Sequence, residues 1–233
     1  MIPVDSNVKS IFESIAPRYD LLNHLLSANL DKAWRKKTVL ASSITLGERI
    51  LDLCTGTGDL AALFADAAGP EGEVVGLDFC DGMLALAQKK YPAKKSRRLS
   101  FVTGDALRVS FPDESFDCVS IAFGLRNITS IATFFQETAR LLKDGGRVVV
   151  LELTRPGFFL KAIYHPFLHG VLPIIGGLFS GNHKAYRYLA DSIENFISPE
   201  KVEEEMQSAG FTGIRLEPLT GGIATIVTGR KNR

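Results

Sequence analysis

A doubly wound α/β fold, with a mostly parallel sheet of seven strands, is what this sequence predicts, and three observations predict it. From Glu48 onward, short runs rich in Val, Ile and Leu alternate with stretches of helical apolar spacing, the pattern of crossover units that build a parallel sheet. The first run passes straight into a glycine turn, Leu-Asp-Leu-Cys-Thr-Gly-Thr-Gly-Asp-Leu-Ala at 51–61, which opens a helix. Near the C-terminus two runs are joined only by Thr-Gly-Gly-Ile at 220–223, too short for a helical crossover, so the last strand is antiparallel.

The strands follow in order. Residues 49–54 form the first, and its helix starts near Asp59; 73–79 form the second, with Asp81 and Gly82 opening the next helix; 99–105 form the third. After the turn residues Pro-Asp-Glu at 112–114 comes a fourth strand at 115–123, and Ile131 to Leu142 has helical spacing. Asp-Gly-Gly at 144–146 is expected to end that helix, and the almost wholly apolar run 147–153 reads as a fifth strand covered on both faces. A helix near 199–209 and the strand pair 213–219 and 224–229 complete the chain. The 233 residues suffice for one domain with an elaboration. It comprises two N-terminal helices in 5–43, a ligand-binding core over 48–154, an apolar lid or substrate segment over 156–197, and a C-terminal helix and strand pair over 198–231.

Lys and Arg number 27 against 26 Asp and Glu, a balance that gives no attraction to polyanions and argues against nucleic acid as a partner. The three cysteines, Cys54, Cys80 and Cys118, lie far apart in or beside strands, which suits a reducing compartment and builds neither a disulfide framework nor a metal site. The first ten residues lack the basic stretch and apolar core of a secretory signal, so a cytoplasmic location is expected. Residues 156–179 are greasy, but Lys161, His165, Pro166, His169 and Pro173 interrupt them, which suits a lid better than a membrane span.

The chemistry gathers at the strand ends. Gly56 and Gly58 allow a tight turn and close approach of a ligand to the backbone. Asp78, 20 residues past Gly58, ends the second strand, where a carboxylate can accept both hydroxyls of an adenosine ribose. Asp105, at the end of the third, is placed for an adenine amino group. The glycine spacing also fits dinucleotide enzymes. Asp52 tilts the choice, because it would repel a pyrophosphate and not the ammonium or sulfonium of S-adenosylmethionine. The late antiparallel pair, found in the sheet of many methyltransferases, tilts it the same way. The alternative is that Asp52 and Asp78 only cap turns.

These residues, with others along nearly the whole chain, resemble the demethylmenaquinone and ubiquinone C-methyltransferases, whose fold is Rossmann-like. The resemblance runs through Ile-Phe-Glu-Ser-Ile-Ala-Pro-Arg-Tyr-Asp-Leu-Leu-Asn at 11–23, the loop at 55–59, Gly-Leu-Asp-Phe at 76–79 and Phe-Pro-Asp-Glu-Ser-Phe-Asp at 111–117. Leu-Thr-Gly-Gly-Ile at 219–223 belongs to it as well. Its most specific parts are Phe-Gly-Leu-Arg-Asn at 123–127 and Tyr-Arg-Tyr-Leu-Ala-Asp-Ser-Ile at 186–193. The resemblance implies that Thr57, Asp78, Asp105 and Ala106 contact S-adenosylmethionine, with Gly56 and Gly58 shaping the loop. Ala122 stands where ubiquinone-type members tend to carry Ser, and is left outside the expected site. The short leader and Cys-Thr-Gly-Thr-Gly at 54–58 look more like the menaquinone-type enzymes.

The implied reaction methylates a ring carbon of a polyprenylated quinol, demethylmenaquinol above a ubiquinone precursor or another small molecule. An NAD-dependent oxidoreductase or a non-catalytic adenosine-ligand binder are the readings outside that class. Arg126, after the fourth strand, is assigned to stabilising the ring oxyanion, since a guanidinium is always protonated, with Asn127 orienting a ring oxygen; the alternative for Arg126 is a surface ion pair. Tyr19, Tyr186, Arg187 and Tyr188 are expected to line the quinol pocket, with packing as the alternative for each tyrosine. His165 and His169 have the spacing of a helical metal pair, yet no third ligand is evident, so no metal is expected. The 156–179 segment and Lys32, Arg35, Lys36 and Lys37 fit peripheral contact with the inner face of a membrane, against a buried helix pair and a solvated face. The reading leaves room for a homodimer.

Overall fold

The structure, a computed structural model, describes residues 27–92, 98–171, 174 and 183–232 together with 13, 14, 16, 20 and 24, and only the backbone of 158, 159, 161, 163, 183, 184 and 186. Helix α1 (Leu30–Ala41) leads into β1 (Arg49–Leu53), α2 (Asp59–Ala68), β2 (Glu73–Asp78), α3 (Asp81–Lys90) and β3 (Arg98–Thr103). Then come β4 (Phe116–Ala122), a single 3-10 turn (Leu125–Asn127), α4 (Ile131–Leu141) and β5 (Leu142–Leu153). Helix α5 (Phe158–Pro166) continues as a π-turn (Phe167–Val171), followed by α6 (His183–Asn195), α7 (Pro199–Ser208), β6 (Phe211–Leu219) and β7 (Ala224–Lys231).

Alternation along the strands builds two layers of core. Ile50, Val74, Cys118 and Val149 point to the face covered by α1 and α2, against Trp34, Leu60 and Phe64. Their neighbours Leu51, Val75, Val119 and Val148 point the other way, against Phe134 and Phe135 of α4 and Val202 and Met206 of α7. The seven strands lie in the order β3-β2-β1-β4-β5-β7-β6, with β7 antiparallel to both its neighbours, as the sequence predicts. The order reverses between β1 and β4, which opens a crevice at their carboxyl ends.

The strand limits agree with expectation to within a few residues except in β5. That strand starts at Leu142, directly after α4, so Asp-Gly-Gly at 144–146 is not a helix stop outside the sheet. Phe116 pairs with Leu142 and Cys118 with Arg147, and the extra residues between them are absorbed as a bulge in which Gly145 takes φ +72°. Within 156–197, sequence reasoning anticipated a greasy lid and missed helix α6, whose polar and apolar faces alternate with helical period. The earlier of the two helices expected in 5–43 lies mostly outside the described residues. Among the described residues no helix is long and apolar enough to cross a membrane.

Phe135 is fully buried and packs edge-on against Phe134, with ring centroids 5.2 Å apart, and near Phe211 of β6. Phe135→Ala is expected to lower unfolding free energy by about 3–5 kcal/mol in urea titration; a loss below about 1 kcal/mol would mean that α4 is not packed as described.

Candidate active site

Two adjoining cavities share the carboxyl ends of the central strands. The first is a narrow crevice lined by Asp52, Cys54, Thr55, Gly56, Thr57, Asp59, Leu60, Ala122 and Arg35. Its floor is the glycine turn, drawn into shape by buried carboxylates. Asp78 accepts the Gly56 N–H at 2.8 Å through one oxygen and the Cys80 N–H at 2.9 Å through the other. Asp52 accepts Thr55 Oγ1 at 2.7 Å and Ser120 Oγ at 2.6 Å. Both acids therefore do fasten turns, and Asp52 also lines the crevice. Burial pushes the Asp52 carboxyl up to about 6 against the pull of those two hydroxyls, and raises Asp78 against its backbone donors.

Two glycines, one in the turn and one after β4, leave no room for a side chain without a shift. Gly58 has φ +82°, and a Cβ there would sit 2.7 Å from the Phe101 ring; a Cβ on Gly124 would sit 2.6 Å from Cys54 Cβ. Cys54 and Phe123, the residues that leave β1 and β4, both adopt left-handed backbone at φ 53° and 58°. Such conformations cost a non-glycine residue about 1–2 kcal/mol each and gather at functional sites. Burial, with Asp78 and Asp52 nearby, pushes the Cys54 thiol well up, so it is held protonated.

The N-terminal segment reaches the turn through Asp20, which accepts Thr57 Oγ1 and pairs with Lys90 Nζ at 2.6 Å. Lys90 also pairs with Asp59, which accepts Tyr91 Oη at 2.7 Å. Beyond β3, Asp105 Oδ1 accepts the Leu107 N–H at 2.8 Å, and Ala106 is buried in the core. The Gly104 N–H donates to the Asp78 carbonyl at 3.0 Å, so the β2 and β3 tips are tied together.

The second cavity is apolar. Trp34, Phe123, Leu153, Tyr164, Phe167, Leu168, Leu189, Ile193 and Ile223 line it, and its polar wall is Ser27, Asp31, Arg35 and Arg126. Arg126 is buried in an ion pair: Nη1 donates to Glu152 Oε1 at 2.7 Å and to the Phe123 carbonyl at 2.5 Å, and Nε donates to Ser192 Oγ at 3.2 Å. The side chains of Arg126 and Glu152 are only 5% and 3% exposed, which corrects the surface-pair alternative. Glu152 also accepts the backbone N–H groups of Arg126 and Leu153. Opposite, Asp31 accepts Arg35 Nη1 at 2.5 Å and Ser27 Oγ at 2.8 Å, and lies 2.9 Å from His24 Nδ1. Burial alone would raise Asp31, but the Ser27 bond and the charges of Arg35 and His24 win and lower it, so it is ionised. Burial pushes the Tyr164 phenol up to about 12.

The expected residues divide accordingly. Gly56, Thr57 and Gly58 form the turn that Asp78 fastens, Asp105 and Ala106 lie beyond the next strand tip, and Arg126 borders the apolar cavity. Asn127 does not border that cavity, because its Oδ1 accepts Tyr188 Oη at 2.8 Å. Tyr188 is thus a strut between α6 and the 3-10 turn and not a wall of the cavity. Arg187 faces solvent, only the backbone of Tyr186 is described, and Tyr19 lies outside the described residues. Ala122, set aside on sequence grounds, does border the crevice.

Arg35 was grouped with a basic surface stretch, but it is buried over the Phe123 ring at 5.0 Å, whereas Lys32, Lys36 and Lys37 are exposed. Asp20, Asp31, Arg35 and Glu152 were missed as site residues. The available signals were an acid and a base four apart on α1 and one carboxylate inside an apolar strand. The histidine pair also has the third partner that sequence reasoning did not find. Glu194 Oε1 lies 3.1 Å from His165 Nε2 and 3.0 Å from His169 Nε2.

Comparison with known proteins bears on what the two cavities hold. Residues 2–231 match the ubiE/COQ5 methyltransferase family. The chain is similar to a demethylmenaquinone methyltransferase of Thermus thermophilus, 47% identical over 94% of this chain and 99% of that protein. It is also similar to a ubiquinone/menaquinone biosynthesis C-methyltransferase, UbiE, of Geobacter sulfurreducens, 42% identical over 96% of this chain and 88% of the other. Among solved structures, a SAM-dependent methyltransferase from Thermotoga maritima superposes with a TM-score of 0.68 at 19% identity, covering 96% of this chain and 99% of its own. The cyclase SpnF reaches 0.71 at 17% identity, covering 99% and 97%. At such identities the structural likeness is one of fold.

Asp52 supplies a test of the crevice electrostatics. Its carboxyl ionises at about 6 in the folded chain and at 3.8 in the unfolded one, so folding loses stability as pH rises through that interval and is level above it. Relative to the wild type, Asp52→Asn should therefore gain up to about 3 kcal/mol between pH 4 and pH 6.5 in parallel denaturation curves. A difference independent of pH would show that Asp52 is not perturbed by burial.

Proposed function

We infer the reaction from one premise: the chain belongs to the ubiE/COQ5 methyltransferase family. It transfers a methyl group from S-adenosylmethionine to a ring carbon of a quinol in quinone biosynthesis, with demethylmenaquinol as the substrate. The observation that carries this is the double position of Arg35, which borders both the carboxylate-lined crevice and the apolar chamber, so that a ligand in each would meet across one wall.

The donor set of the crevice fits the cofactor. Asp52 and Asp59 line it and Asp78 fastens its turn through the Gly56 N–H, while the cation that borders it among the described residues, Arg35, is already paired with Asp31. Carboxylates suit an ammonium and a ribose diol and repel a pyrophosphate, which counts against a dinucleotide. Asp78, Thr57, the Gly56–Gly58 turn, Asp105 and Ala106 are the residues assigned to hold it. When bound, S-adenosylmethionine supplies an electrophilic methyl group on a cationic sulfur.

The chain's own part is to make the ring nucleophilic and to keep water away. Arg126, held by Glu152, Phe123 and Ser192, lowers the pKa of a ring hydroxyl and stabilises the oxyanion that forms. Asp31 is the ionised group on the same wall, and its carboxylate, engaged by Arg35, Ser27 and His24, keeps Arg35 in place between the two cavities. Phe123, Tyr164, Phe167, Leu189 and Ile193 exclude water while the reactants sit at contact distance. Leu160, Val171 and Ile174, large apolar side chains exposed along the 156–179 segment, offer a path for the prenyl tail.

Labelled S-adenosylmethionine incubated with reduced and with oxidised demethylmenaquinone tests the reading. Methyl transfer to the quinol alone is expected, and a demethylated ubiquinone precursor run in parallel sets the preference. Transfer to neither ring, or equally to the oxidised form, would refute it. Arg126 needs a conservative variant, because deleting the guanidinium would strand Glu152 as a buried charge at a cost of about 3–5 kcal/mol. Arg126→Lys keeps the charge and loses the fork, and should lower kcat by about 100-fold while leaving S-adenosylhomocysteine affinity within about twofold. A kcat close to wild type would remove Arg126 from the chemistry.

A further inference from the structure

Away from both cavities, three side chains with metal-binding atoms converge. His165 is on the last turn of α5 and His169 in the π-turn that follows, four residues on, so their rings face the same side, 4.7 Å apart. Glu194, near the end of α6, brings one carboxylate oxygen to 3.1 Å and 3.0 Å from the two Nε2 atoms. All three potential ligand atoms lie within 4.8 Å of one another.

We propose that His165, His169 and Glu194 form a zinc-class metal site that fastens α5 to α6. Zinc binds imidazole nitrogen and carboxylate oxygen at about 2.0–2.2 Å, so two ligand atoms on a tetrahedral ion stand about 3.3 Å apart. The two nitrogen to oxygen distances are already within a few tenths of an ångström of that value. Two nitrogens and one oxygen select zinc and its transition-metal neighbours over magnesium and calcium, which take oxygen sets. A cavity of about 250 Å³ beside the trio, bordered by Arg155, Tyr164 and Leu168, leaves room for water in the remaining position.

The consequence reaches the chamber through one helix. Glu194 is two residues from Ser192, which accepts Arg126 Nε, and six from Tyr188, which holds Asn127. Tyr164, Phe167 and Leu168, from the same stretch as the two histidines, line the chamber. A metal here would therefore hold the greasy cover closed on the helix that steadies the arginine.

Isothermal titration of the purified full chain with Zn²⁺, and optical titration with Co²⁺, tests the site without any methyl transfer. One ion per chain is expected, with a Co²⁺ spectrum lacking a thiolate charge-transfer band, and no response to Mg²⁺. His165→Ala/His169→Ala and Glu194→Gln should each weaken binding by at least about 100-fold, since even the loss of an outer partner of a metal ligand costs 10–100-fold. All three side chains are at least a third exposed, so the variants should fold, which retained binding of S-adenosylhomocysteine checks. Zn²⁺ should also slow amide exchange in 158–171 and 183–195. Equal affinity in the variants, a thiolate band pointing to Cys54, or no measurable binding would overturn the site, and unchanged exchange would overturn the fastening.

Discussion

The geometry of the candidate site depends on one buried ion pair. Glu152 enters the sheet in β5, where its neighbours are Val, Leu and Leu, and an unpartnered carboxylate there would cost several kcal/mol. Arg126 meets it from the turn after β4, and the same guanidinium reaches the Phe123 carbonyl and Ser192 of α6. Four segments are thereby fixed by one side chain: the β4 exit, the 3-10 turn, the end of β5 and α6. The left-handed backbone of Phe123, which turns its ring to the chamber, is braced by the same contacts. A charge pair of this kind contributes little net stability over an apolar pair, and its value lies in allowing one arrangement of the strand ends.

Much of the fold can be read from local chemistry. The strands are runs rich in Val, Ile and Leu, the glycine turn follows the first of them, and the four-residue link before β7 allows no other direction for that strand. The β5 bulge was hidden because Asp-Gly-Gly after a helix is normally a stop signal, and only the pairing of Phe116 with Leu142 shows that the strand has already begun. Asp78 was legible as an acid at the end of β2 facing the glycine turn, and it is there that it accepts the Gly56 N–H. The site was obscure where a residue's partner is distant in sequence. Arg35 sits in a run of four cationic positions, and nothing local says that it alone turns inward to Asp31 and Phe123. Glu152 carried the clearest unused signal, a lone carboxylate in the otherwise apolar run 148–153. Glu194 could not be matched to His165 and His169 without the packing of α5 against α6.

The two cavities are built to different standards. The crevice is made of strand ends and a turn in which nearly every polar atom has a backbone or side-chain partner. The chamber is closed by helices outside the sheet, α1 on one side and α5 with α6 on the other. Trp34 Nε1 donates to Thr220 Oγ1 at 3.0 Å and so ties α1 to the turn before β7. A rigid half for a constant ligand and a jointed half for a bulky greasy one is a division of labour that the architecture makes available to any acceptor able to enter.

Arg35 stands as a party wall. A cation in the crevice and an anion in the chamber would each alter the field that the other experiences through the same guanidinium and its Asp31 counter-ion. Occupancy on one side must then change affinity on the other, and by thermodynamic reciprocity the change is equal in both directions. If the sulfonium favours the ionised ring, then conversion to the uncharged thioether removes that preference at the moment the methyl leaves. With a cofactor and a quinol so placed, product departure would be linked to completion of transfer by electrostatics through Arg35.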